Sequence, residues 1–229
     1  MSARIEFHEM TFDILARDLG EAAHPRLIVA VDYRRIPESN YTEAVEDCER
    51  VIDWLMERGE EEFGIDPSQI VVLGDSIGGN LAAVMARRFT EPSKPFPIHG
   101  QILVHPTLQF ADLQTPSYRA FNKELAGNHF QRILESEDSF QVQLEPVLLD
   151  PDFAPLMAED FSSLPSALVL TMDNDFLRDD GIIYAERLRT AGVASKWQHY
   201  PDGFGGAFHF NRMLDISNVI RDSTPPKRI

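Results

Sequence analysis

The sequence predicts an α/β fold, a mostly parallel sheet flanked by helices, and three observations carry that prediction. Short continuous apolar runs, LIVAV, IVVL and ALVLTM among them, recur along the chain. Runs that are apolar at every residue, rather than at every second one, suit strands buried on both faces. Between them lie stretches with apolar residues at helical spacing, and strands alternating with helices imply parallel pairing. The chain has 229 residues, of which 43% are hydrophobic, enough for one sizeable core and one domain over residues 1–229.

In chain order, residues 9–22 place Phe12, Leu15 and Leu19 on one helical stripe, and residues 27–31 form a buried strand. Residues 41–58 set Ala44, Cys48, Val51, Ile52 and Leu55 on one face with charges opposite, an amphipathic helix. Cys48, the only cysteine, reads as a small core residue. Gly64 and Pro67 punctuate the following loop. Further strands are expected at 70–73, 101–104, 167–172 and 196–200, and further helices at 79–89, 178–191 and 206–221. Pro106 stops the strand at 101–104 and Gly192 closes the helix before the last strand. Residues 107–164 have no clear period and carry several prolines and charges. They read as a cap-like insertion with short helices over one end of the sheet. The tail STPPKRI is expected to fray.

The formal net charge is −16, from 37 acidic and 21 basic residues. That balance disfavours nucleic acid and anionic membrane surfaces as partners, and it equally describes a well-solvated surface. No window approaches the ~18 consecutive apolar residues of a membrane span. The start MSARIEFHEMTF has no signal-peptide pattern, so a cytoplasmic location is the expectation from this chain alone. The sequon Asn40-Tyr41-Thr42 is then read as chance. His8, His24, His99 and His129 show no metal-ligand spacing. His105, at a strand end, is expected to be packed or hydrogen-bonded.

The stretch that carries chemistry is GDSIGGN, Gly74 to Asn80. Gly74-x-Ser76-x-Gly78 lies between an apolar run and a helical pattern, as a nucleophile elbow requires. The serine must sit on a tight turn with its hydroxyl above the sheet, and the glycines let strand and helix approach. The N–H of Ile77, at the helix start, suits a developing oxyanion. The same pattern also fits a structural Gly-rich turn. A phosphate cradle is disfavoured because no Lys-Ser/Thr pair follows.

These residues resemble a known family. GDSIGGNLAA is similar to the GDSAGGNLAA block of the hormone-sensitive-lipase-like α/β-hydrolases, and VDYRRIPE is similar to their VDYRLAPE. AVEDCERVIDWL resembles the helix that follows, and the segment from DFAPLMAED to RTAGV resembles the one carrying the acidic triad member. The flavour is that of arylacetamide deacetylase. The resemblance implies an α/β-hydrolase fold and hydrolysis of carboxylic esters or amides by a Ser-Asp-His triad without a cofactor. Full-length relatives can be anchored in the endoplasmic reticulum. The match puts the nucleophile at Ser76 and the acid at Asp175, with Asp173, Asp179 and Asp180 nearby read as ordinary helix-start and surface carboxylates rather than a metal site.

Two departures stand out. The family pattern DGFHG is here Asp202-Gly203-Phe204-Gly205-Gly206, so Gly205 occupies the position of the base. His209 is a possible surrogate one helical turn on, and His199 precedes the loop. The family's HGGG segment, which supplies oxyanion donors, occurs nowhere in this chain. The chain is therefore expected to be amino-terminally short and to lack the strand between LIVAV and IVVL. The resulting open edge would invite self-association. RIEFH alternates but is judged too polar to substitute. The expected function is a serine hydrolase by descent, weakly active or inactive, on small ester or aryl-amide substrates, with Phe110, Phe121 and Phe130 as candidate pocket lining. The alternative is a non-catalytic relative or truncated product that binds an apolar ligand or a protein partner.

Overall fold

The apolar runs lie side by side in one sheet. The structure, a computed structural model, describes residues 2–6, 26–35, 39–109, 115–121 and 148–205. Among these residues the strands are β1 (Ser2–Glu6), β2 (Arg26–Ala30), β3 (Val71–Asp75), β4 (Gly100–Val104), β5 (Ser166–Asn174) and β6 (Ser195–Phe204). They pair in the order β2-β1-β3-β4-β5-β6, every pair parallel. The helices are α1 (Tyr41–Phe63), α2 (Ile77–Arg88), α3 (Pro116–Phe121) and α4 (Arg178–Thr190). The helical stretches expected at 9–22 and 206–221 lie outside the described residues, as do Phe110, Phe130, His8, His24, His129 and His209.

The continuous apolar runs are explained by burial on two faces. Val72, Leu103 and Val169 point into the larger core with α1, α2 and α4. Their neighbours Leu73, Ile102, Val104, Leu168 and Leu170 form a second cluster on the opposite face. Side chains alternate faces along a strand, so only an all-apolar run fills both.

Helix α1 begins in a capping box. The side chain of Asn40 accepts from the N–H of Glu43 at 3.0 Å, and the Glu43 carboxylate accepts from the N–H of Asn40 at 3.5 Å. The sequon residue Asn40 is thus a helix cap. The helix outruns its expected end by five residues and stops at Gly64, whose φ of 65° reverses the chain. Ala44, Cys48, Ile52 and Leu55 are buried on its inner face, and burial pushes the Cys48 thiol up, keeping it a neutral core group.

The expectation of a missing strand is overturned. β1 fills the place between β2 and β3, pairing Ile5 with Val29 on one side and Val72 on the other. The polarity of RIEFH argued against it, but a central strand is specified first by its backbone. Without β1, β2 and β3 would each leave a row of N–H and C=O groups unpaired. Strand propensity yields to such context. The gap within the sheet, on which the self-association expectation rested, is therefore closed.

The placement of β1 is testable. Ile5→Pro removes a ladder donor from a central strand and should cost at least about 2 kcal/mol in urea unfolding. Unchanged stability would show that residues 2–6 do not pair in the sheet.

Candidate active site

The site is assembled at the C-terminal ends of β3, β4 and β5. β3 runs directly into Ser76, which has φ 53° and ψ −117°. Such a backbone is rare for a residue with a side chain and costs on the order of 1–3 kcal/mol. Gly74 makes it possible. A Cβ on Gly74 would stand 2.0 Å from the carbonyl oxygen of Gly78, so strand and helix touch through bare backbone. Gly79 is close-packed too, since a Cβ there would lie 2.9 Å from Pro106 Cβ.

The turn is held by its neighbours. The N–H of Ser76 donates to Val104 O at 3.0 Å, and Ser76 O accepts from the N–H groups of Asn80 and Thr107, each at 3.1 Å. Asn80 is fully buried. Its amide donates to Thr107 O at 2.8 Å and Phe153 O at 2.9 Å, while its oxygen accepts from the Tyr41 hydroxyl. One side chain thereby ties α2 to α1, to the loop after β4 and to the segment around Phe153. The Asn of GDSIGGN was not singled out as structural in the sequence, although a buried amide is the residue type that joins several loops. The N–H of Ile77 is the first of α2, in the turn whose donors lack intrahelical acceptors.

Asp175 follows the last residue of β5 and is 2% exposed. Its Oδ1 accepts from the N–H of Leu177 at 2.9 Å. Burial pushes its carboxyl above the ordinary range, with His105 acting in the opposite direction. β6 runs on to Phe204, past its expected end, through a register irregularity opposite Met172 and Asn174. That extension carries Gly205 to the acid. The N–H of Gly205 donates to Asn174 O at 3.3 Å, and a Cβ on Gly205 would lie 3.2 Å from Asp175 Oδ1. The position matched to the family's base therefore stands over the position matched to its acid. His209 falls outside the described residues. His199 faces elsewhere, sharing a 3.0 Å hydrogen bond with Thr171.

His105 lies between two buried carboxylates. Its Nδ1 is 3.6 Å from Asp175 Oδ2 and its Nε2 is 3.8 Å from Asp75 Oδ2. Its φ is 32°. The strand-end position signalled burial, but the two carboxylates come from separate strands and became visible only with the sheet order. Asp180, in the first turn of α4, is a third buried carboxylate. It accepts from Gln109 Nε2 at 3.3 Å and from the N–H of Leu108 at 3.4 Å. Burial pushes its carboxyl up to about 7 despite these bonds, with Asp175 and Asp179 adding to the shift. Asp173 and Asp179 are each engaged by Arg178 at 2.9 Å, and among the described residues no three His, Cys, Asp or Glu side chains gather as a metal group. α3 abuts this turn, with the N–H of Ser117 donating to Asp179 at 2.8 Å and its hydroxyl to Phe176 O at 3.0 Å.

Two outcomes check this geometry. Gly74→Ala should cost at least about 3 kcal/mol in urea unfolding, because backbone cannot move aside as a side chain can. Gly64→Ala, in open space at a positive φ, should cost only about 1 kcal/mol. Asp180 binds its proton more tightly when folded than unfolded, so its contribution is complete below about pH 4 and declines as pH rises to about 7. Asp180→Asn should remove a decline on the order of 2 kcal/mol between pH 5 and pH 8. Parallel pH profiles for variant and wild type would refute the assignment.

Comparison with known proteins places the fold. The sequence pattern of the alpha/beta hydrolase fold family matches residues 4–209. Neutral cholesterol ester hydrolase 1 of Pongo abelii is 28% identical over 96% of this chain and 67% of its own length. Arylacetamide deacetylase of Oryctolagus cuniculus is 29% identical over 87% of this chain and 64% of its own. The chain thus spans about two thirds of the length of these relatives. The crystallised hyperthermophilic esterase of Pyrobaculum calidifontis superposes with a TM-score of 0.79 at 28% identity, over 96% of this chain and 74% of its own. With elbow, sheet order and sequence in agreement, the chain belongs to the alpha/beta hydrolase fold family, in its hormone-sensitive-lipase-like branch.

Proposed function

We propose that this chain is a carboxylic-ester or aryl-amide hydrolase by descent whose own turnover is weak or absent. Ser76 is the nucleophile, the N–H of Ile77 donates to the oxyanion, and Asp175 is the acid that would orient a base. The observation that supports this most is the conjunction of a strained serine at the strand–helix elbow with a buried carboxylate over which Gly205 stands. A serine hydroxyl needs a proton acceptor within about 2.6–3.2 Å to become a competent nucleophile. His105, whose ring nitrogens stand 3.6 and 3.8 Å from the Asp175 and Asp75 carboxylates, is read as a neighbour of those carboxylates rather than as the base. Loss of a triad member costs ~10⁴ or more in rate, and such losses do not simply add to those from a weakened oxyanion site.

The substrate class follows the names of the relatives: small-molecule acyl esters or aryl amides, without a cofactor. Residues 107–164 would shape the acyl pocket, since α3 sits against the turn that carries Asp175. A second reading has support from Gly205: a non-catalytic relative that holds an apolar ligand or a protein partner in the same place. Among the described residues no helix is long and apolar enough to cross a membrane.

The decisive assay is p-nitrophenyl acetate hydrolysis by wild type and Ser76→Ala. Turnover should lie at least about 10³-fold below that of an intact triad enzyme, and the residue of activity should vanish in the variant. Robust Ser76-dependent turnover would show that a base is present, with His209 the first to replace. A fluorophosphonate adduct on Ser76, found by mass spectrometry, would favour the hydrolase over the binding protein.

A further inference from the structure

We propose that the position beside Gly205 is a binding site for an imidazole that does not belong to the chain, brought by the substrate or free in solution, which serves as the proton acceptor for Ser76. This inference rests on the reading of Ser76 as nucleophile given above.

Three observations lead to it. First, Gly205 brings no side chain to Asp175, and the three atoms nearest to where its Cβ would stand all belong to that carboxyl group, at 3.2, 3.3 and 3.6 Å. Second, Asp175 is 2% exposed and its Oδ2 makes no hydrogen bond. The nearest described cation-forming group, His105 Nδ1, stands at 3.6 Å, outside hydrogen-bond range. A buried carboxylate oxygen in that condition costs free energy until a donor reaches it. Third, the glycine is not there to serve the backbone. Gly64 and Gly192 are the described glycines with a left-handed φ, and Gly205 is not among them.

The chemistry selects the ligand. The site asks for an N–H donor on the side of Asp175 and a lone pair on the side of Ser76. Neutral imidazole presents both on opposite edges near neutral pH. A primary amine is protonated there and has no lone pair to offer. In the step itself, the free ring nitrogen takes the Ser76 proton as Oγ bonds to the ester carbonyl carbon and the C=O π pair moves onto oxygen. Collapse then breaks the bond to the alcohol, which leaves with the proton held by the imidazolium. Water attacks the acyl-enzyme along the same proton path, releasing the acid and restoring the serine and the neutral ring. Asp175 stays ionised throughout and holds the ring's N–H.

The test reads the rate of fluorophosphonate labelling of Ser76 by mass spectrometry, which free imidazole cannot imitate without the serine. With rising imidazole, labelling of wild type should increase by about 10²-fold and saturate. N-methylimidazole, a base without the N–H, should give no saturable increase, and Asp175→Asn should abolish the imidazole effect. Gly205→His should label fast without added imidazole and ignore it when added. The source is assigned by comparing p-nitrophenyl esters of N-acetylhistidine and N-acetylphenylalanine, each corrected by Ser76→Ala. A Ser76-dependent preference for the histidine ester places the ring on the substrate, and saturable rescue without that preference places it in solution. If Gly205→His labels fast while wild type shows neither response, the imidazole site is refuted and the nucleophile reading stands. If Gly205→His does not label although it folds with wild-type stability, both fall.

Discussion

The contact on which this molecule turns is the one between Gly74 and the carbonyl of Gly78. It lets the end of β3 and the start of α2 meet without an intervening side chain. That approach forces the residue between them through a backbone conformation that only glycine adopts without cost, yet the residue is a serine. The strain is sustained by bonds made around it rather than by Ser76 itself. Val104 and Thr107 fix its peptide groups, and Asn80 locks the first turn of α2 to three other segments. The hydroxyl is thereby held at the sheet's C-terminal edge, the place where parallel α/β sheets gather their ligands.

Much of this was legible in the chain, and the reasons differ by element. The strands at 70–73, 101–104 and 167–172 declared themselves because both faces are buried, leaving no polar residue to blur the run. The elbow was legible because its glycine spacing reflects a contact between neighbours in sequence. β1 was misjudged because its place is set by two strands whose paired residues lie 24 and 67 positions on, and pairing of this kind leaves little trace in a five-residue stretch. β5 and β6 ran past their expected ends for a similar reason. The apolar pattern stops at Met172 and Tyr200, but backbone pairing goes on to Phe204.

The site divides in the same way. Ser76, Asp175 and Gly205 could be matched one by one, but that Gly205 lies against the Asp175 carboxyl is a consequence of the β6 extension. The carboxylate cluster was less visible. Asp75, Asp175 and Asp180 read as a motif residue, a triad acid and a helix-start acid, each with a local explanation. Asp75 and Asp175 flank His105 and Asp180 acts on Asp175, because three strand ends and a helix start meet at one edge. The acidity of the chain as a whole gave no hint of it, since surface carboxylates dominate that count.

The cluster also bears on why the acid persists opposite a glycine. A buried carboxylate with no partner is among the more destabilising features a fold can carry. Asp175 is spared the full cost by the Leu177 N–H on one oxygen and the ring of His105 beyond the other. Asp75, immediately before the serine, stands 3.8 Å from the far edge of His105. Asp75 and Asp175 thus face a single imidazole from opposite sides. His105 approaches Oδ2 of Asp175, while a Cβ on Gly205 would lie nearest to Oδ1. The bonds that support Asp175 therefore come from Leu177 and from the side of His105, and none of them depends on which side chain stands at 205.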